Sequence, residues 1–310
     1  MQWPVLPEGE RVARMEPPTA YPVPVVIDSD TYNEIDDQFC IAYAALSPKV
    51  DLKAVYAAPF VNARADTPEQ GMERSYEEML RLMALLERDP AGFCFRGSDR
   101  YLGGWDTPVD SPAARDLIAR AMAQPEEEPL YVLTIGCPTN VASALLMEPR
   151  LVRKIVVVWM GGNAVGWPTA REFNLMQDLP ADRVLLDSGV PFVMIPAYPV
   201  LTHLATSLPE LEYYLGDSTP LGQFLLANVA DYRQSDARYP VYSKIIWDPA
   251  TVAWCVLPEA APSRLIPTPY LDEDMHWAVD PTRRLMREVA YIDRDPIFQD
   301  LFSLLGSAKL

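Results

Sequence analysis

Residues 23–46 read VPVVIDSDTYNEIDDQFCIAYAAL, and the fold class follows from how this stretch changes character along its length. Val23 to Ile27 form an apolar run rich in β-branched residues, entered from Pro22 and Pro24, which predicts a strand buried in a parallel sheet. Asp28, Asp30, Glu34, Asp36 and Asp37 follow, and then Phe39, Ile41, Ala42 and Leu46 can form the apolar stripe of a helix. Open α/β sheets bind ligands outside the carboxyl ends of their strands, so chemistry is expected here. Carboxylates crowded at one strand end repel one another. A hard cation such as Ca²⁺ or Mg²⁺, which takes carboxylate and carbonyl oxygens, relieves that repulsion.

Two other readings of the same acids stay open at this point. The carboxylates can decorate a helix N-terminus, where the macrodipole favours them and Asn33 or Asp36 can cap. An Asp-x-Asp after a first strand also suits a phosphatase of the haloacid dehalogenase type, with Asp28 as nucleophile and Mg²⁺ as cofactor. There the usual following Thr is replaced by Tyr32, and no downstream Lys and acidic motif stand at recognisable spacing. An EF-hand loop counted from Asp28 fails, because its sixth and twelfth positions are Asn33 and Phe39 instead of Gly and Glu.

Outward from this stretch, apolar strand-like runs alternate with helical patterns. Leu52 to Ala57, LYVLTI, KIVVVWMGG and PFVMIPA read as strands, and SYEEMLRLMALLERD, ARDLIARAMAQ, CPTNVASALLM and PLGQFLLANVADYRQ as helices. The alternation predicts an α/β, Rossmann-like open sheet, mostly parallel, with helices on both faces. AAPFVNARADTPEQGMERS is expected to be a long site loop, and 89–112 a loop region exposing Arg96, Arg100, Tyr101 and Trp105. Residues 1–22, rich in Pro and charge, are expected to be an arm on the surface or against a neighbouring subunit. Residues 23–310, which show no repeat or linker, are expected to be one domain.

Composition narrows the partners. Of 310 residues, 49% are hydrophobic and 22% charged, as in an ordinary globular protein. A formal net charge of -17 disfavours nucleic acid and anionic membranes, whose binding relies on basic patches. Cys40, Cys94, Cys137 and Cys255 stand far apart, with no CxxC pair to suggest zinc or a disulfide framework. No signal-peptide core and no run of about 20 apolar residues is present, so a cytoplasmic location is the expectation.

Five short motifs then occur in order: DSDTYNEIDDQ, IGCPTN, WMGG followed by EFN, LTH, and IWDPATVA. Together they resemble the inosine-uridine-preferring nucleoside hydrolases and related N-ribohydrolases, from about Val23 to about Leu301. The spacer between Asp-x-Asp and Asp-Asp is longer than in the best-studied members and resembles a bacterial subgroup. The resemblance implies Ca²⁺ bound by Asp30, Asp37, Asp248 and the carbonyl of Ile135. It implies ribose contacts from Asp36, Asn62, Met160, Glu172 and Asn174, and Asp30 as general base. The implied substrate is a nucleoside or related N-glycoside, cleaved to free base and ribose in nucleoside catabolism or purine salvage. A homodimer or homotetramer is the implied assembly.

The chemistry suits such groups. Cleavage of an N-glycosidic bond passes through an oxocarbenium-like transition state that water captures from one face. A metal lowers the pKa of that water and orients the sugar, and a carboxylate takes its proton. One departure stands out: many members carry His before the last metal-binding Asp, where it helps protonate the leaving base, and here the residue is Trp247. Trp is no general acid, although its ring can stack on an aromatic aglycone. Tyr242 is a candidate proton donor, and His203, in the LTH motif next to Thr202, is either catalytic or a structural tie between loops. His276 reads as a surface residue and Glu73 as an exposed acid of the following helix. Trp247 also motivates an alternative, a ribose-binding member of the fold without turnover.

Overall fold

The computed structural model describes residues 3–233 and 240–310 in full and residues 234–236 as backbone. The chain opens with helix α1 (Glu8–Arg14) and strand β1 (Val23–Ser29), then α2 (Asp37–Leu46), β2 (Val50–Ala57), α3 (Pro68–Leu85) and β3 (Cys94–Arg96). It continues through α4 (Pro112–Ala123), β4 (Leu130–Thr134), α5 (Thr139–Met147), β5 (Ile155–Met160), α6 (Phe173–Gln177), α7 (Leu179–Ser188) and β6 (Phe192–Ile195). Short strands β7 (Ala205–Thr206) and β8 (Lys244–Ile245) flank α8 (Leu208–Leu215) and α9 (Pro220–Asp236). The last part holds α10 (Pro249–Val256), β9 (Ser263–Pro267), β10 (Tyr270–Leu271), β11 (Trp277–Ala278), β12 (Leu285–Val289) and α11 (Arg294–Leu304).

Eight strands make one sheet in the order β3-β2-β1-β4-β5-β6-β12-β9, with only β9 antiparallel to its neighbour. Alternate residues of the central strands face two separate apolar cores. Val25, Ile27, Val156 and Val158 join one cluster, and Val26, Ile155, Val157 and Trp159 the other. Burial on both faces is why these strands read as unbroken apolar runs instead of alternating ones. The chain leaves β1 toward β2 on one side and returns to β4 on the other, with Ile27 opposite Leu133 and Asp28 opposite Thr134. Strand order reverses there, and a crevice opens beyond the carboxyl ends of β1 and β4.

Three expectations need correction. The connector after β2 is shorter than expected, because α3 begins at Pro68 with the Thr67 hydroxyl capping Gln70 N–H at 3.2 Å. Gly71 then packs on the Phe60 backbone, where a Cβ would stand 2.1 Å from the Phe60 carbonyl oxygen. Tyr101 is half-buried, and Cys94–Arg96 adds an edge strand to the sheet. Finally, β9 and β12 extend the sheet where no strand was expected. Their charged residues are accommodated by pairing, Arg264 and Glu288 at 2.8 Å and Arg287 with Glu16.

The N-terminal arm lies against its own chain. Glu8 accepts from Leu285 N–H at 3.0 Å, and Met15 and Arg11 are buried.

Candidate active site

Asp30, Asp36, Asp37 and Asp248 are all buried where β1 ends and α2 and α10 begin. Ser29 donates its hydroxyl to Asp37 Oδ1 at 2.6 Å, and Trp247 N–H donates to Asp36 Oδ2 at 3.1 Å. The second bond ties the start of α10 to the start of α2, so residues 211 positions apart meet. Oxygens of Asp36, Asp37 and Asp248 lie within 4.8 Å of one another, a grouping able to hold a metal ion. Asp30 differs from these in that both its oxygens are buried without a hydrogen-bond partner. Gly136, after β4, leaves it room, since a Cβ there would approach Asp30 Cγ to 3.1 Å.

Burial pushes the Asp30 carboxyl well above the ordinary range, and the charges of Asp37, Asp36 and Glu172 push it further. The same two causes raise Asp37 and Asp248. Asp36 rises to about 7 through burial and Glu34, with Lys244 opposing. So much desolvated negative charge stabilises a bound cation and is costly without one. The residues present therefore fit a hard divalent ion held by oxygens, and the orphaned Asp30 carboxylate is the clearest sign of it.

Across the cavity stands a neutral, hydrogen-bonding wall. Asn174, on α6, donates from Nδ2 to the carbonyls of Ile135 at 3.1 Å and Met160 at 3.0 Å. A carbonyl oxygen has two lone pairs, so the Ile135 oxygen keeps capacity for another partner. Glu172 caps α6, taking the N–H groups of Gly162 and Asn174 at 2.9 and 3.0 Å, and burial raises it to about 7 against those bonds. Asn62 is set by Asn33 Oδ1 at 2.8 Å and by Arg64 N–H at 2.7 Å. The sequence reading missed Gln177, which grips the neighbouring Val61 by both its N–H (2.9 Å) and its carbonyl (3.4 Å). Tyr101 donates to the same Gln177 oxygen.

The third wall is aromatic. Trp247, Tyr198 and Trp167 form a ladder, with ring centroids 5.7 and 6.2 Å apart. Tyr232 donates to Glu34 at 2.7 Å, and the buried Lys244 pairs with the other Glu34 oxygen. These walls enclose a cavity of about 380 Å³, the size of a small-molecule site.

Of the expected site residues, Asp36, Asp37, Asn62, Ile135, Met160, Glu172, Asn174, Trp247 and Asp248 line this cavity. Asp30 lies beside them, within reach of their charges. Asp28 does not line it: it is buried behind, accepting from Asn140 at 2.8 Å. A nucleophile cannot work from there. His203 is exposed and packs on Tyr291 with ring centroids 5.3 Å apart, outside the cavity wall. Tyr242 is half-buried near Lys244 and lines no part of the wall. His276 sits exposed in the β10–β11 hairpin, and Glu73 pairs with Arg96 at 2.7 Å. Asn33 and Glu34, from the acidic stretch, complete the lining together with Arg171, Phe173, Ala197, Tyr198 and Tyr232, which the sequence did not single out.

An α/β sheet with a carboxylate-rich, sugar-sized cavity at its switch point defines a class of small-molecule enzymes, and comparison with known proteins narrows it. The fold resembles a solved plant nucleoside hydrolase with a TM-score of 0.72 at 21% identity, covering 92% of this chain and 99% of that one. A purine-preferring ribonucleoside hydrolase from Gardnerella vaginalis gives 0.70 at 21%, with 91% and 97% covered. By sequence, a pyrimidine-specific ribonucleoside hydrolase of Klebsiella pneumoniae (strain 342) is 30% identical over 264 residues, 76% of this chain and 80% of the relative. One from Escherichia coli O9:H4 (strain HS) is 29% identical with the same coverage. Residues 25–296 match the family model of the inosine-uridine preferring nucleoside hydrolases, and the chain belongs to that family. It is a nucleoside hydrolase, which sets aside the phosphatase reading. Among the described residues, no helix is long and apolar enough to cross a membrane.

Proposed function

We propose that this enzyme hydrolyses the N-glycosidic bond of a ribonucleoside to free base and ribose, using Ca²⁺ held by Asp30, Asp37, Asp248 and the Ile135 carbonyl. A divalent cation bound there lowers the pKa of water and orients the sugar through its vicinal hydroxyls. The supporting observation is the buried, unpartnered carboxylate of Asp30 beside the Asp36, Asp37 and Asp248 cluster.

In this reading Asp30, whose oxygens have no hydrogen-bond partner in the protein, accepts the proton of the attacking water. Asp36, Asn62, Met160, Glu172 and Asn174 hold the ribose against that face. Trp247 covers the aglycone with its ring and donates no proton. Leaving groups that depart without protonation, or that gain it from water, therefore suit the site best.

The test is reducing-sugar release from purine, pyrimidine and nicotinamide nucleosides by wild type and Asp30→Asn, with bound metal measured on both. Relatives named as pyrimidine-specific put uridine and cytidine first in the panel. Turnover by wild type and its loss in the variant is the expected result. A calcium-loaded wild type that leaves the whole panel intact refutes the reading.

A further inference from the structure

Arg171 lines the cavity, and the other charged residues lining it, Glu34, Asp36, Asp37, Glu172 and Asp248, are carboxylates. Among the described residues its guanidinium has no hydrogen bond, ion pair or ring partner. Every other described arginine has one: Arg64 bonds the Tyr32 carbonyl, Arg74 lies over Tyr32, and Arg183 lies over Trp105. Arg96, Arg115, Arg120, Arg264, Arg283 and Arg294 are in ion pairs, and the remainder pair likewise or bond carbonyls. Arg171 is exposed at the cavity, so its donors are open to a ligand there, in a chain whose net charge is -17.

Its backbone, in contrast, is held. The buried Asn163 donates to the Arg171 carbonyl at 2.9 Å and accepts from Tyr198 N–H at 3.1 Å. One side chain thus fixes Arg171 relative to the aromatic ladder. The adjacent Glu172 does not neutralise it, because that carboxylate is turned inward onto the N–H groups that start α6. A guanidinium offers hydrogen-bond donors and no acceptor, so its role here is binding.

We propose that Arg171 binds an anionic group carried by the N-glycoside, either a phosphate on the sugar or a carboxylate on the aglycone. A planar guanidinium with open donors matches both oxyanions bidentately. This rests on the N-ribohydrolase reading of the same cavity and adds its substrate class. The overall negative charge repels such a substrate at long range, so a local cation is what permits selection for it.

The experiment compares matched pairs on metal-replete, full-length protein: uridine with uridine 5′-monophosphate, and nicotinamide riboside with nicotinate riboside. kcat/KM is measured for wild type, Arg171→Ala and Arg171→Lys at about 0.15 M salt, where long-range repulsion is screened. Equilibrium binding of the same four compounds is measured in parallel. In one pair the anionic member is expected to gain, and Arg171→Ala to lower its advantage about tenfold, with Arg171→Lys between. A change in the uridine pair assigns the sugar phosphate, and a change in the riboside pair the aglycone carboxylate. A ratio of the phosphate- or carboxylate-bearing member to its parent that Arg171→Ala leaves unchanged in both pairs overturns the proposal. If the wild type cleaves none of the four, the binding ratios still decide for or against Arg171, and the hydrolase reading is decided separately by the full nucleoside panel.

Discussion

The acidic wall of the cavity and the outer rings of the aromatic ladder are built in opposite ways. Asp30, Asp36, Asp37 and Asp248 are at most 3% exposed and sit where β1, α2 and α10 begin or end, elements packed into the core. Trp167 and Tyr198 are 41% and 45% exposed and ride on loops after β5 and β6. Carboxylates that must hold fixed positions against mutual repulsion need rigid support, since a small displacement of a catalytic group is costly in rate. Rings that only cover an aglycone, as proposed here, would tolerate looser support. The difference separates chemistry from selection, and that separation can be tested.

The largest effect is expected on the acidic side. Asp30→Asn should lower kcat by about 10²–10⁴-fold, the span of general-base catalysis, with the protein still folded by circular dichroism. If turnover persisted within a fewfold of wild type, the base would lie elsewhere and the acidic wall would be a cation site only.

Cation removal comes next. Chelation should lower the melting temperature, by about 2.7 kcal/mol of stability if the ion had been at a hundredfold its Kd. The raised carboxyls set the sign of the pH dependence. Their folded-state pKa values lie above the unfolded ones, so the stability they contribute to the chelated protein is present at low pH and lost as pH rises through the raised values, about 7 for Asp36. Bound cation needs them ionised. The gap between loaded and chelated melting temperatures should thus widen from about pH 5 to pH 8. A gap that narrows would mean the cluster is not the binding site.

On the aromatic side, Trp247→Ala should reduce kcat/KM for base-bearing substrates about tenfold, the scale of a lost ring contact, while ribose inhibits as before. Equal losses for nucleoside and ribose would merge the two walls into one unit, a result that the Trp247 N–H bond to Asp36 makes worth measuring.

The same division governs what could be read in advance. β1 and its acids were legible because a strand buried on both faces leaves an unbroken apolar run, and a carboxylate cluster has few structural uses. Asp248 and Asn174 needed the motif pattern, since nothing local ties IWDPATVA or EFN to residue 30. Gln177, Asn163 and Arg171 were not legible: Gln177 and Asn163 join segments that follow different strands, to Val61 and Tyr198, and a polar residue such as Arg171 between strand and helix carries no periodic signal. β9 and β12 were hidden for another reason. Arg264, Arg287 and Glu288 interrupt their apolar pattern, and the two that are buried, Arg287 and Glu288, pair with Glu16 and Arg264. His203, read either as catalytic or as a tie between loops, packs on Tyr291 and is not among the residues that line the cavity.

The smallest effect concerns support behind the wall. Asp182, on α7, is fully buried, and neither of its oxygens has a hydrogen-bond partner. Burial raises its pKa well above 3.8, the charges of Asp178 and Glu172 raise it further, and Arg183 opposes them. A carboxyl raised on folding stabilises the native state only while protonated, so its contribution is complete below about 3.8 and falls as pH climbs toward the folded value. Asp182→Asn removes the charge but not the shape. Its melting temperature should match wild type near pH 4 and exceed it increasingly up to pH 8, by roughly 1–3 kcal/mol of stability, the cost of an unsatisfied buried polar group. Turnover should hold, because Asp182 does not line the cavity. A variant less stable than wild type at pH 8 would show instead that Asp182 is ionised and partnered there, and that α7 belongs to the charged machinery of the acidic wall.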